Sequence, residues 1–138
     1  MNFIPVNEPL LNGNEKKYLN ECIDTGWISS EGPFIKRFEK GMANYVGRKY
    51  GVACANGSAA LDIAVRALDL QKGDEVIAPS FTIISSIQSL VTNGLKPILL
   101  DCDFSTFNIN PSEIEAKITT KTKAIMVVHL YGLTVDMD

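Results

Sequence analysis

From residue 50 onward, short apolar runs alternate with segments of helical period, and few folds accept that alternation. Residues 50–55 suit a strand, and residues 58–70 a helix with Leu61, Ala64, Val65 and Leu68 on one face. Gln71-Lys72-Gly73-Asp74 turns the chain. Residues 75–79 read as a strand, 80–91 as a helix and 97–101 as a strand. Asn110-Pro111-Ser112-Glu113 is a capped helix start, with Asn110 as cap and Glu113 three residues on. Residues 124–130 form a continuous apolar strand. Strands separated by helices imply right-handed crossovers and a mainly parallel sheet, an α/β architecture. The run "AIMVVHL" is apolar on both faces, as in a strand covered by helices above and below.

Two helices are expected ahead of this alternation, so residues 1–48 form a helical segment and 49–138 the strand–helix part. The first covers residues 14–24, with Asn14 as cap, Tyr18, Leu19, Cys22 and Ile23 as apolar positions and Gly26 as stop. The second starts at Pro33, lines up Phe34, Phe38 and Met42, and ends at Gly47. The last strand ends almost where the chain does, so a truncated domain is expected.

In sheets of this kind ligands gather beyond the carboxyl ends of the strands. Asn56-Gly57-Ser58, Ser80-Phe81-Thr82, Asp101-Cys102-Asp103 and His129-Leu130-Tyr131-Gly132 all fall at that edge. At the first of them the first-turn N–H groups of a helix have no partner inside it, and the helix dipole adds about half a positive charge. Gly57 is expected to supply an unusual backbone conformation, with Ser58 and Ala59 opening the helix, and a phosphate fits there. An ordinary corner capped by Ser58 fits the same residues. Neither the glycine-rich dinucleotide fingerprint nor the Walker loop is present. His129 suits a buried, hydrogen-bonded structural role better than that of a base. Asp101 and Asp103 read as solvated loop acids rather than metal ligands, for want of a third ligand.

Composition narrows the partners. The 138 residues are 46% hydrophobic and 21% charged, with a net charge of −3, which suits a soluble globular chain and speaks against nucleic acid. No apolar stretch reaches the roughly 20 residues that span a bilayer, and residues 1–5 lack the pattern of a secretory signal. Cys22, Cys54 and Cys102 match neither a disulfide framework nor a metal spacing, so reduced, buried thiols in a cytoplasmic protein are expected.

Four stretches in order carry a resemblance: "TGWISSEGPFIKRFE" (25–39), "NGSAALDIAVRAL" (56–68), "GDEVIAPSFT" (73–82) and "KTKAIMVVHLYG" (121–132). Together they resemble the start of the DegT/DnrJ/EryC1/StrS family of sugar-nucleotide aminotransferases. The resemblance implies the N-terminal part of the large domain of a fold type I enzyme. It also implies pyridoxal 5'-phosphate as cofactor, and transfer of an amine from glutamate to C4 of a nucleotide-linked 4-keto-6-deoxy sugar for surface polysaccharide such as O-antigen. A homodimer is implied, with neither nucleic acid nor membrane as partner. On this resemblance Gly57, Ser58 and Ala59 grip the coenzyme phosphate. Ile83 takes the slot of an aromatic that stacks on the pyridine ring, forgoing roughly 0.5–1.5 kcal/mol of stacking, and Gln88 stands where asparagine is common. Trp27, Ser29 and Ser30 match the loop near the sugar-nucleotide pocket. The family's coenzyme-bonding lysine and the aspartate paired with the pyridine nitrogen are expected downstream of Asp138. None of the ten lysines here sits in an apolar stretch that would prime an amine for that bond. Two alternatives share the sequence: a sugar 3-dehydratase with histidine in place of that lysine, and a non-catalytic binding or dimerisation module.

Overall fold

The computed structural model describes residues 3–137; Met1, Asn2 and Asp138, which enter the readings of the two chain ends, lie outside them. The chain forms two compact units, Met1–Ala53 and Cys54–Asp138.

The first unit holds α1 (Glu15–Thr25) and α2 (Pro33–Tyr45). Asn14 precedes α1 but makes no side-chain cap; the Glu15 carboxylate instead accepts the Gly13 N–H at 2.9 Å. Gly26 ends α1 in the left-handed conformation, as expected. Gly32 leads into α2 at φ 147°, and a Cβ there would come within 3.2 Å of the Trp27 ring, so only glycine fits. Pro33 then supplies a preformed first turn. The helices meet through Tyr18 and Phe34, whose ring centroids are 5.3 Å apart, with the Arg37 guanidinium over both rings. Leu19, Ile23 and Phe38 stay exposed, and Ala43 is the one buried residue of the two helices.

Residues 50–55 do not form the expected strand. A strand needs a neighbour to complete its hydrogen bonds, and here a side chain intervenes. The Glu39 carboxylate accepts the Ala53 N–H at 2.9 Å, and Gly51 lies so close to the Glu39 carbonyl that a Cβ would stand 2.5 Å from it.

The second unit contains α3 (Gly57–Ala67), β1 (Glu75–Pro79), α4 (Ile84–Thr92), β2 (Lys96–Leu100) and β3 (Thr122–Ile125). The three strands form one parallel sheet in the order β2-β1-β3, with Val76 opposite Pro97 and Ala124. All five residues of β1 are buried, Glu75 at its amino end included, and residues 76–79 are apolar in succession rather than alternating. Its side chains feed two cores. Val76 and Ala78 pack with Val65, Leu90 and Leu95 under α3 and α4. Ile77 points the other way, toward Leu100, Ile109 and Val135.

Three boundaries differ from expectation. The fourth helix begins at Ile84 rather than residue 80, because the Ser80 N–H stays in the sheet and donates to the Leu100 carbonyl at 2.7 Å. Residues after Pro111 form two single 3₁₀ turns, although Asn110 does cap the first of them. The last strand runs Thr122–Ile125, continued by one bond from the Met126 N–H to the Ile77 carbonyl. It stops there because the following chain is held by side chains: the Asn108 amide accepts the Leu130 N–H and donates to the Leu133 carbonyl.

At the amino end of β1, Glu75 is a buried carboxylate with two partners. The Thr119 hydroxyl donates to it at 2.6 Å and the Lys96 ammonium at 3.0 Å. The Thr119 hydrogen bond, then the Lys96 bond, hold its pKa below the ordinary 4.5. A depressed carboxylate contributes stability that is present above the unfolded-state pKa and lost as pH falls through the folded-state one. Urea unfolding of the protein at pH 6 and pH 3 should therefore show a loss of stability at the acid end. Glu75→Gln should lower stability at pH 6 and flatten this dependence; an unchanged slope would rule Glu75 out as its source.

Candidate functional site

The opening turn of α3 lies beside the opening turn of α4, which follows the carboxyl end of β1. The Ser58 hydroxyl donates to the Ser85 hydroxyl at 2.8 Å and ties the two helix starts together. Asn56 is the N-cap of α3: its backbone is extended and its side-chain oxygen accepts the Ala59 N–H at 2.9 Å. The alternative of a corner capped by Ser58 is therefore not what forms: Asn56 is the cap. Among the described residues the Gly57 and Ser58 N–H groups have no partner. They point out of the positive end of an 11-residue helix.

Gly57 does not adopt the left-handed conformation expected of it. It is the first residue of α3, and a Cβ placed on it would meet nothing within 4 Å. What glycine supplies here is open approach to the amides. The ordinary helical backbone also explains why Asn56, one residue earlier, can serve as the cap.

Beside this corner runs a groove of about 330 Å³ between α3 and α4, lined by Ser58, Asp62, Arg66, Ser85 and Gln88 among others. The Arg66 guanidinium is committed to Asp62 at 3.0 Å, one helical turn back, and the Asn93 amide donates to the other Asp62 oxygen at 2.7 Å. The groove is polar and its cation is paired. The uncompensated positive potential at this corner therefore comes from the α3 backbone.

Ile83 sits two positions before Ser85, as the extended N-cap residue of α4, and is 69% exposed. Its side chain is available as apolar surface at the same edge. Nearby in sequence, Phe81 packs on Phe107 with centroids 5.7 Å apart, and Phe104 lies 6.4 Å from Phe107. This aromatic cluster was missed in the sequence. Phe107 adopts φ 58°, a conformation that costs a bulky residue and is held by the turn around Asp103. The Asp103 carboxylate accepts hydrogen bonds from the hydroxyls and backbone N–H groups of Ser105 and Thr106. The Ser105 hydroxyl above all keeps its pKa below the usual value. Asp101 accepts the Cys102 N–H and the Ser80 hydroxyl. Each acid thus engages its Oδ1 with protein donors, and no group of three metal-ligating side chains exists among the described residues.

His129 is hydrogen-bonded as expected, its Nδ1 accepting the Val135 N–H at 3.1 Å, but it is exposed rather than buried. Cys22, Cys54 and Cys102 are half-buried and outside any disulfide. All ten lysines are exposed. No helix of the described residues is long and apolar enough to cross a membrane.

Trp27, Ser29 and Ser30 belong to the first unit. Trp27 and Ser30 line a hollow of about 720 Å³ with Glu31, Pro33 and Lys36. Ser29 turns toward Glu31, whose N–H its hydroxyl accepts at 3.4 Å. The structure brings Gly57, Ser58 and Ala59 together with Ser85, and puts Ile83 at the start of the same helix as Ser85. Of these, Ser85 was not singled out in the sequence, where nothing pairs it with a residue 27 positions away.

The sequence matches the family described as DegT/DnrJ/EryC1/StrS aminotransferases over residues 9–138. It is 52% identical over 135 residues to GDP-perosamine synthase of Caulobacter vibrioides, covering 98% of this chain and 36% of that protein's length. Among solved structures, an aminotransferase from Psychrobacter cryohalolentis superimposes with a TM-score of 0.84 at 38% identity, over 91% of this chain and 32% of its own. The GDP-4-keto-6-deoxy-D-mannose-3-dehydratase of E. coli, solved with bound hydrated PLP, gives 0.84 at 30% identity, over 93% and 34%. The α/β expectation is therefore met, and the chain belongs to the DegT/DnrJ/EryC1/StrS aminotransferase family.

Proposed function

We propose that this chain forms the phosphate-binding corner of a pyridoxal-phosphate-dependent aminotransferase. The complete protein would move an amine from glutamate to C4 of a GDP-linked 4-keto-6-deoxy sugar, in the manner of GDP-perosamine synthase. The observation that carries the reading is the first turn of α3. Two unpartnered amides stand open there beside the exposed Ser58, in a chain 52% identical to that synthase.

The residues present fit the phosphate. The Gly57 and Ser58 N–H groups donate to it, the Ser58 hydroxyl adds a third bond, and the helix dipole favours its charge. The Ala59 N–H joins them only where Asn56 releases it, so the cap and the ligand compete for one donor. Ile83 covers one face of the pyridine ring with aliphatic surface. When bound, the coenzyme supplies an electron sink that the protein itself lacks. Trp27, Ser29 and Ser30 border the nucleotide sugar. Exposure of every lysine here supports a coenzyme-bonding amine that comes from outside these residues. We place the protein in the cytoplasm as a homodimer, with small molecules rather than nucleic acid or membrane as its ligands, and its product in surface polysaccharide such as O-antigen.

Similarity to the 3-dehydratase favours a second reading, removal of the C3 hydroxyl on the same fold. The products separate the two. Incubation of the complete protein with pyridoxal phosphate, glutamate and GDP-, UDP- or dTDP-linked 4-keto-6-deoxy sugars should yield a 4-amino sugar with one 2-oxoglutarate per amine. A 3-deoxy sugar identified by mass spectrometry would overturn the aminotransferase reading in favour of the dehydratase.

A further inference from the structure

We propose that Ser85 is a positioning residue that sets the direction of the Ser58 hydroxyl proton and thereby strengthens phosphate binding at α3. This rests on the phosphate-corner reading above. In the structure the Ser58 hydroxyl donates into Ser85, while the proton of Ser85 itself has no acceptor among the described residues. Ser85 is half-buried in the first turn of α4, and Ser58 is exposed at the mouth of α3. An anion arriving at the α3 amides draws the Ser58 proton toward itself. The Ser58 oxygen then becomes an acceptor, and the Ser85 hydroxyl, already 2.8 Å away, turns its own proton into that oxygen. The result is a two-hydroxyl chain ending on a charged acceptor, in which each bond polarises the next. No proton leaves either residue.

The local sequence agrees with such a role. The N-cap of α4 is Ile83, with no side-chain cap, so the Ser85 hydroxyl at the second helical position is not spent on capping. Of the groove-lining residues, Asp62 and Arg66 are paired with each other, which leaves Ser85 as the group that addresses Ser58.

The test is a double-mutant cycle on the complete apo-protein, titrated in equilibrium dialysis with pyridoxal phosphate and, separately, with pyridoxal, which lacks the phosphate. Ser85→Ala should weaken pyridoxal phosphate about five- to tenfold, the scale of one hydrogen bond between neutral groups, and leave pyridoxal unchanged. Ser85→Thr should restore the affinity. In a Ser58→Ala background Ser85→Ala should cost nothing further. An equal loss for both ligands, a loss that persists without the Ser58 hydroxyl, or no loss at all would overturn the proposal. If Ser58→Ala weakens pyridoxal phosphate and Ser85→Ala does not, only the role of Ser85 falls. If Ser58→Ala itself changes nothing, the phosphate corner falls with it.

Discussion

Gly57→Asp is expected to leave the protein folded and weaken phosphate-dependent coenzyme binding by about a hundredfold or more. The substituted residue would be the first of α3, in ordinary helical conformation, with no heavy atom within 4 Å of its new Cβ. A carboxylate at a helix N-terminus adds about 0.3–1 kcal/mol of stability through the dipole, so folding should be unharmed. That carboxylate, however, occupies the place and answers the potential meant for the phosphate. Hydrogen bonds to a charged group are worth about 1.5–3 kcal/mol each, and losing two amide bonds while adding like-charge repulsion exceeds the roughly 2.7 kcal/mol that a hundredfold represents. Titration with pyridoxal phosphate measures the loss, and a thermal melt of the same sample measures the stability. Full affinity in the Asp variant would remove the corner from consideration, since no other feature of α3 presents two open amides.

Ile77→Ala should have the largest effect on stability. Ile77 is fully buried at the centre of β1, the middle strand, where it joins Leu100, Ile109 and Val135 in one core. Removing its branched side chain leaves a cavity around which β1, paired on both sides, cannot collapse. A cost of about 4 kcal/mol is expected, within the range for such truncations, and Ile77→Val should cost about 1 kcal/mol. Denaturant unfolding of the three proteins provides the comparison. A marginal stability of about 5–15 kcal/mol makes the alanine change severe. Equal midpoints would mean that this core does not hold the sheet.

The parts of the fold legible in the sequence were those fixed by local chemistry. Residues 75–79 read as a strand, and β1 has those bounds. Pro33 and Gly26 mark helix boundaries through backbone restrictions of their own. The misread parts depend on distant partners. Residues 50–55 have the composition of a strand, but the Glu39 carboxylate takes the Ala53 N–H. The run 124–130, read as a strand covered on both faces, is instead a strand only as far as Ile125, and Ile125 is exposed. The start of α4 moves from residue 80 to Ile84 because the Ser80 N–H is still bonded to Leu100, 20 positions away.

The site was half legible in the same sense. A strand-like run, a glycine and a serine before a helical run point to open amides, and the amides of Gly57 and Ser58 are open. The reason given for glycine was wrong, since its φ is ordinary. The cap is Asn56, two residues before the Ser58 of the alternative reading, because which of the two side chains reaches the first-turn amides depends on the dihedral angles of the corner. The pairing of Ser58 with Ser85 and the packing of Phe81 on Phe107 arise only when crossovers bring separate helix and loop starts together, so neither leaves a local trace.

The most direct measurement is a crystal structure of the complete protein with pyridoxal phosphate. The account predicts phosphate oxygens about 2.7–3.2 Å from the Gly57 and Ser58 nitrogens and within reach of the Ser58 hydroxyl, which will have turned away from donating to Ser85. A phosphate bound elsewhere, with the two α3 amides facing only solvent, would contradict it.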